Sequence, residues 1–538
     1  MILIGSFAVL HRRYRNFVVI AVLALSCAPL VPADDTDKKH EHQYPAAPVD
    51  TTRYAATTIP DRVILTWTGA PETSQAVTWR TSVDVTKAWG EIAIASANPG
   101  FESQAKKVDA SSQPLTTNLG AAHYHTVEFT ELKPETRYAY RVGDGRNFSE
   151  WFHFTTASLE AKPFRFIYFG DAQNNIRSLW SRVVREAHRD APRAAFLLHA
   201  GDLVNKAESD AEWGDWSAAG RWLNGMMPSM AVPGNHEQAK QEDGSKALSH
   251  HWRPQFAFPT HGPEGLEETC YTLVHQGVRF VCMNSNERHE DQALWMDQVL
   301  TENKARWVIC SFHHPIYSTG GERDNAELRA MWKPILDKHK VDLVLQGHDH
   351  TYGRTGLDTP IVEPAEAIAN VMDGVNLADS QTGTVYVVSV SGPKMYSLQK
   401  HPFMKRQAEK TQLYQIIEVN GDQLHYEART AIGQPYDAFT LKKQDGKINL
   451  MMERVPENPA TVSGDTADTI PVSSPKFVAA KVKELFALQN KNDDDVLSGD
   501  EIPDNLRERV MKYDADGNQK ISKDELREIV KSWYQISP

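Results

Sequence analysis

Hydrophobic positions along this chain follow three different rhythms. Between residues 61 and 158, short stretches alternate apolar with polar side chains: Val63–Trp67, Gln75–Trp79, Glu91–Ile94, His125–Phe129 and Tyr138–Val142. Turn residues punctuate them, and this predicts an all-β sandwich with Trp67, Trp79 and Trp151 in its core. Between 163 and 445 the apolar runs become continuous, at Phe164–Phe169, Ala195–His199, Met230–Val232, Trp307–Ser311 and Val341–Leu345. They alternate with helical stretches such as Asn325–His339, so an α/β domain with a mixed central sheet is expected. Residues 475–538 read as a small helical domain. Polar, Pro- and Thr-containing stretches at 34–60 and 446–474 read as linkers.

One further apolar run, Phe17–Leu25, follows Arg12, Arg13 and Arg15 and precedes Val31-Pro-Ala33. It is about half a membrane span, so residues 1–33 read as an export signal and the mature chain as soluble, periplasmic or extracellular, with no transmembrane segment. The formal charge of -12, from 58 basic and 70 acidic residues, offers no basic face for a nucleic-acid partner. Of four cysteines, Cys27 falls in the signal. Cys270 and Cys282 lie at equal distance from Gln276 in an expected hairpin, which leaves a disulfide and a pair of buried free thiols both open.

Five of the continuous strands run straight into polar clusters: Phe169-Gly-Asp171-Ala-Gln173, Ala200-Gly-Asp202-Leu-Val-Asn205, Pro233-Gly-Asn235-His236-Glu237, Phe312-His313-His314-Pro315 and Gln346-Gly-His348-Asp-His350. Each alone is weak, because an Asp after Gly is usually a turn residue. Together they offer two carboxylates, an amide and three imidazoles at strand ends, a set suited to divalent metals. The order Gly-Asp, Gly-Asp, Gly-Asn-His-Glu, His-x-Pro, Gly-His-x-His resembles the calcineurin-like metallophosphoesterase superfamily. With a sandwich in front, whose Leu132–Tyr138 segment resembles a fibronectin type III tyrosine corner, the chain is most similar to purple acid phosphatases over roughly 61–445.

That resemblance implies two divalent ions (zinc, manganese or iron) bridged by Asp202. Asp171 and His350 would complete one site, and Asn235, His313 and His348 the other. It further implies metal-activated hydroxide attacking a small phosphate monoester. His236 would stabilise the transferring oxygens or protonate the leaving alcohol, with His314 a neighbour. The pattern departs at two places. Asn205 stands where purple acid phosphatases carry the tyrosinate that colours iron(III), and Gln173 where many relatives have histidine. These two amides are the candidates for the first site's remaining ligand, and a non-purple centre follows. The family's paired substrate-facing histidines are also missing, which makes Arg323, or the His250-His251-Trp252-Arg253 stretch, the candidate phosphate contact. Alternative functions are phosphodiester or nucleotide hydrolysis at the same centre, and a non-catalytic protein attached to a surface or carbohydrate through its sandwich.

In the C-terminal stretch, Asp514, Asp516, Asn518, Lys520, Ser522 and Glu525 fall at positions 1, 3, 5, 7, 9 and 12 of a loop that resembles an EF-hand. Asn490, Asn492, Asp494, Val496, Ser498 and Glu501 repeat it, with Leu497 and Ile521 placed to pair. Both loops lack the sixth-position glycine. Weak calcium binding of a structural kind is expected, with one helix at about 502–513 serving both loops.

Overall fold

The computed structural model describes residues 51–321, 323–375 and 383–454, and a discontinuous set between 456 and 533. The expected signal, residues 34–50 of the first linker, Asn490 and Asn492 lie outside them.

The N-terminal domain has eight strands among the described residues: β1 (Asp61–Thr66), β2 (Gln75–Ser82), β3 (Trp89–Ile94), β4 (Lys106–Asp109), β5 (Ser111–Thr117), β6 (Gly120–Phe129), β7 (Arg137–Gly143) and β8 (Phe152–Thr155). They form two sheets ordered β1-β2-β6-β5 and β4-β3-β7-β8. Leu65, Val77, Trp79, Val127, Phe129, Tyr140, Val142 and Phe154 fill the space between them. The Tyr138 hydroxyl accepts a hydrogen bond from the Lys133 N–H at 2.9 Å, the corner read from the sequence. Trp67 is core as expected, though of the neighbouring domain, and Trp151 departs from expectation. Trp67 packs into the core of the following domain, and Trp151 is only half-buried, with Arg141 over its ring.

The second domain is two seven-stranded mixed sheets, among the described residues, packed on one another. β9 (Phe164–Phe169), β10 (Leu197–His199) and β11 (Ser229–Ala231) are parallel neighbours. A short hairpin, β12 (Gln238–Lys240) and β13 (Lys246–Leu248), follows them. The second sheet is built from β14 (Tyr271–His275), β15 (Val278–Cys282), β16 (Trp307–Ser311), β17 (Leu343–Gln346), β18 (Tyr352–Thr355), β19 (Val385–Val388) and β20 (Met404–Ala408). Its order is β14-β15-β16-β17-β19-β18-β20, parallel from β15 through β19. Finally β21 (Leu413–Asn420), β22 (Gln423–Thr430), β23 (Pro435–Lys442) and β24 (Leu450–Glu453) extend the first sheet, with β21 antiparallel to β9.

Strand alternation decides which core each side chain joins. Phe280, Ile309, Leu343 and Val385 face the first sheet, while Val281, Cys310, Val344 and Tyr386 face Met296, Trp332 and Ile335 of the helices His289–Thr301 and Ala326–Lys338. The same alternation settles the cysteines. Gln276 and Gly277 both have positive φ, 45° and 85°, as a two-residue hairpin turn requires, so His275 pairs with Val278 and Cys282 with Tyr271. Cys270 is therefore one step off register and joins the helix-side core, whereas Cys282 joins the inter-sheet core. Both are free, as is Cys310.

Buried charge ties the two domains together. Asp210, at the start of the helix Asp210–Gly220, is gripped by Arg62 at 2.7 and 2.9 Å and by Arg80 at 2.9 Å. Beyond the second domain, β25 (Val496–Ser498) and β26 (Lys520–Ser522) pair antiparallel with Leu497 opposite Ile521, next to the helix Lys523–Trp533. Val478, Val482, Phe486, Ile529 and Val530 form their core. Part of the helix expected at 502–513 is outside the described residues.

Candidate metal centre

Every cluster singled out in the sequence leaves the C-terminal end of a parallel strand. Asp171 follows β9, Asp202 follows β10 and Asn235 follows β11; His313 follows β16, and His348 and His350 follow β17. Three of these residues sit in left-handed backbone, Asp202 at φ 52°, His348 at 75° and His350 at 29°. For side chains of this kind each such conformation costs about 1–3 kcal/mol and persists only where the surroundings impose it. Close approach of the loops needs glycine. A Cβ on Gly347 would lie 2.3 Å from Asp171 Oδ1, and one on Gly234 2.1 Å from Asp202 Oδ1.

The six side chains come together in two overlapping groups. Asp202, His313 and His348 bring ligand atoms within 4.8 Å of one another, and so do Asp171, Asp202 and His350. Asp202 belongs to both.

The hydrogen bonds at the back of the rings decide what the front presents. His313 Nδ1 donates to the Ala200 carbonyl at 2.8 Å, so in the neutral ring that a metal requires Nε2 carries the lone pair. That atom lies 3.0 Å from Asn235 Oδ1, 3.2 Å from His348 Nδ1 and 3.3 Å from Asp202 Oδ2. Asn235 Oδ1 is in turn 2.9 Å from His348 Nδ1. In the other group, His350 Nδ1 donates to the Lys394 carbonyl at 2.8 Å, and its Nε2 lies 3.2 Å from Asp171 Oδ2, a buried oxygen that receives no hydrogen bond. Facing lone pairs in a dry site repel unless positive charge lies among them. A divalent cation in each group supplies that charge, so the donor set fits the metals.

The same competition appears in the titration of the groups. Burial, opposed by His313 and reinforced by Asp202, pushes Asp171 up to about 8. Burial acts in the same direction on Asp202, yet His313 and His236 draw it well below the usual carboxylate range. His313 is held up to about 9 by Asp202 and Asp171 in spite of burial, which takes His348 and His350 well below the ordinary imidazole value.

Of the two candidate amides, Gln173 places its side chain in the centre. It is fully buried, its Nε2 donates to Asp202 Oδ2 at 3.0 Å and lies 2.8 Å from His350 Nε2, and its Oε1 receives no hydrogen bond. Asn205 instead serves through its backbone. Its carbonyl lies 2.7 Å from His236 Nδ1, and its N–H donates to Glu212. His236 is half-buried, and its backbone N–H donates to Asp202 Oδ1 at 2.9 Å. His314 bonds Ser285, and its ring lies tilted against that of His348 with 4.5 Å between centroids, as a neighbour of the candidate ligands.

Arg323 stands at the rim. It donates to the His348 carbonyl at 3.1 Å and to the Tyr396 hydroxyl at 3.2 Å, and the Tyr396 ring lies against His350. His250 and His251, by contrast, meet Glu208 and Asp210 and not the metal-centre side chains.

One functional residue had no role assigned in the sequence although it stands in the Gly-Asn-His-Glu motif. Glu237 is fully buried and accepts the N–H groups of Asp202 at 2.8 Å, Leu203 at 2.8 Å, Val204 at 3.3 Å and Gly234 at 2.7 Å. It clamps the loop that carries Asp202 onto the loop that carries Asn235. Burial and the charge of Asp202 push its carboxyl up to about 7.

In the C-terminal stretch, Asp514, Asp516 and Glu525 gather ligand oxygens within 4.8 Å. Asp514 accepts the N–H groups of Asn518 at 3.2 Å and Gln519 at 2.8 Å, Asn518 Oδ1 accepts that of Lys520, and Glu525 accepts both donors of Ser522. Gln519 occupies the sixth position at φ 59°, the conformation a glycine would supply. In the preceding loop, Asp494 accepts the Val496 N–H and Glu501 the Ser498 N–H, both at 2.9 Å.

Comparison with known proteins agrees with this geometry. Residues 60–156 match the purple acid phosphatase N-terminal domain, and residues 164–352 match the calcineurin-like phosphoesterase domain. An uncharacterized protein of Mycobacterium tuberculosis, Rv2577, is 26% identical over 367 residues, 60% of this chain and 67% of that one. Purple acid phosphatase 13 of Arabidopsis thaliana is 24% identical over 289 residues, and the chain spans about half of its length (52%). Among solved structures, purple acid phosphatase PPD1 from yellow lupin superposes with a TM-score of 0.57 at 19% identity, covering 72% of this chain and 74% of that one. PhoD superposes with a TM-score of 0.52 at 11% identity, covering 76% and 94%.

Proposed function

We propose that this chain, a phosphoesterase hydrolase with a purple acid phosphatase N-terminal domain ahead of a calcineurin-like phosphoesterase domain, hydrolyses small phosphate monoesters. The observation that carries the reading is the convergence of carboxylate and imidazole ligand atoms from both sheets on two sites that share Asp202. Asp171 and His350 would hold one divalent cation with Asp202, and Asn235, His313 and His348 the other. Bound there, zinc, manganese or iron(II) supplies Lewis-acid polarisation of a phosphoryl oxygen and a water of lowered pKa.

The chain's own groups do the rest. The Asn205 carbonyl accepts the His236 Nδ1 proton and so orients the ring; as the imidazolium, His236 would use its Nε2–H to hydrogen-bond a phosphoryl oxygen or to pass that proton to the leaving alcohol. Arg323, braced by the His348 carbonyl and Tyr396, offers its guanidinium fork to the remaining phosphate oxygens. Gln173 holds Asp202 and His350 in register. With Asn205 in place of the family's tyrosine, the loaded protein is expected to lack a visible charge-transfer band.

Two finer elements belong to the same proposal. The loop from Asp514 to Glu525, and the one before it, take calcium at the weak extracellular level, on the order of 10⁻⁴–10⁻³ M, as structural ions. The segment at 1–33 directs export; among the described residues no helix is long and apolar enough to cross a membrane. The test is turnover by protein purified without chelator, with its metals counted. Aryl phosphate cleaved well ahead of bis-aryl phosphate, with at least two divalent ions per catalytic domain, is the expected result. Preference for the diester would move the assignment to phosphodiesters, and absence of both turnover and bound ions would overturn it.

A further inference from the structure

We infer that Glu208, His250 and His251 hold a further divalent cation of the zinc class, separate from the pair at Asp202. Their ligand atoms all lie within 4.8 Å of one another. Glu208 Oε2 is 2.7 Å from His250 Nδ1 and 3.6 Å from His251 Nδ1. Both Glu208 oxygens are closed to water, yet neither receives a well-directed hydrogen bond. A carboxylate in that condition is costly unless a cation completes it.

The back of the cluster is built as metal sites are built. His251 is fully buried, and its other ring nitrogen, Nε2, also lacks a well-directed hydrogen bond while lying 3.4 Å from Asp210 Oδ1. Asp210 is itself immobilised by Arg62 and Arg80. A carboxylate behind an imidazole sets the tautomer that turns the front nitrogen toward a metal. Two imidazoles and one carboxylate, with the half-exposed His250 on the solvent side, match a zinc site completed by water.

The location gives the ion a structural task. Ser249, next to His250, donates its N–H to the Glu237 carbonyl and its hydroxyl to the Ala207 carbonyl, each at 2.9 Å. A cation joining Glu208 to His250 and His251 would therefore pin the segment after β13 beside Glu237 and beside the helix that begins at Asp210.

The test uses the full chain loaded with zinc chloride at the concentration that just saturates the parent, with zinc counted per chain by mass spectrometry. His250→Ala and Glu208→Gln are each expected to carry one ion fewer than the parent, with zinc at that site weakened at least about tenfold. Phosphatase turnover at saturating zinc should be retained. Because the readout is a difference between parent and variant, it does not depend on how many ions the Asp202 centre takes up. Equal counts in all three proteins would reduce the cluster to a Glu–His ion pair and overturn the site. Should Glu208→Gln misfold, His250→Ala decides the question alone, since its ring is half exposed.

Discussion

The centre at Asp202 and the loop at Asp514 both gather ligand atoms within 4.8 Å, but they hold them by opposite means. At Asp202 the candidate ligands come from five loops spread over 180 residues of sequence, four of them almost wholly buried and Asn235 and His348 half-buried, and they sit in backbone that is strained at three positions. At Asp514 they come from twelve consecutive residues, are half-buried or exposed, and are ordered by hydrogen bonds within the loop itself. A site that the whole fold over-determines can tolerate facing lone pairs and strain while it waits for its ions. A local loop cannot, and the ion has to supply much of its order. The first should therefore be tight and catalytic, the second weak and structural.

The largest effect is expected from Asp202→Ala, which removes the carboxylate common to both groups. Turnover of aryl phosphate should fall on the order of 10³-fold or more, and elemental analysis should show ions lost from both halves of the centre. Loss of one ion with most activity retained would mean that the groups are independent.

Asp210→Ala asks whether over-determination extends to the domain junction. Arg62 would lose its buried carboxylate partner, while Arg80 keeps Asp61, and breaking such a buried pair costs about 3–5 kcal/mol. Chemical denaturation of parent and variant measures it. Burial opposes ionisation of Asp210, but His251, Arg62 and Arg80 hold its carboxyl below the usual range. A depressed folded-state pKa contributes stability that is present above the unfolded value, near about 3.9, and is lost as pH falls below it. The parent should lose this advantage on the acid side of about pH 4, and the variant should have none to lose.

The positions that the strand pattern brings to one end of the sheets and those it leaves unmarked differ in what specifies them. Asp171, Asp202, Asn235, His313, His348 and His350 each follow a continuous apolar run, so the strand pattern alone aligned them at one end of the sheets. The strands β4 and β5 were not anticipated because nearly all their side chains are exposed, which leaves little hydrophobic alternation to read. The cysteine register failed by one residue. Equal distance from Gln276 assumes a one-residue centre, whereas the turn has two central residues. Glu237 was visible as a motif letter, but its four bonds are to backbone N–H groups that no sequence pattern displays. Glu208 and His250 are separated by forty-two positions without any motif, and only the packing of the β12–β13 hairpin brings them together.

Glu237→Gln tests a residue that fixes the first region without touching an ion. Its Oε2 takes the N–H groups of Asp202 and Gly234, and its Oε1 those of Leu203 and Val204. An amide must turn an NH₂ toward one of those pairs, so donor faces donor and the two loops separate. Metal affinity should weaken about 10–100-fold, with activity recovered at high metal concentration. A variant that loses activity without recovery would assign Glu237 a direct chemical role.

The smallest effect belongs to the C-terminal loop, and it completes the contrast. At calcium about tenfold above its Kd, linkage stabilises the C-terminal unit by about 1.4 kcal/mol. Thermal unfolding of the full chain should show its C-terminal transition rise with calcium. Asp514→Ala should abolish that rise, because Asp514 both occupies the first ligand position and orders Asn518 and Gln519. Phosphatase turnover should be the same in parent and variant, since the loop shares no ligand with the Asp202 centre. If the calcium-dependent rise persisted in Asp514→Ala, the loop would not be its source. If turnover followed calcium, the weak site would be regulating the tight one, and the division between a fold-held catalytic centre and an ion-held structural loop would fail.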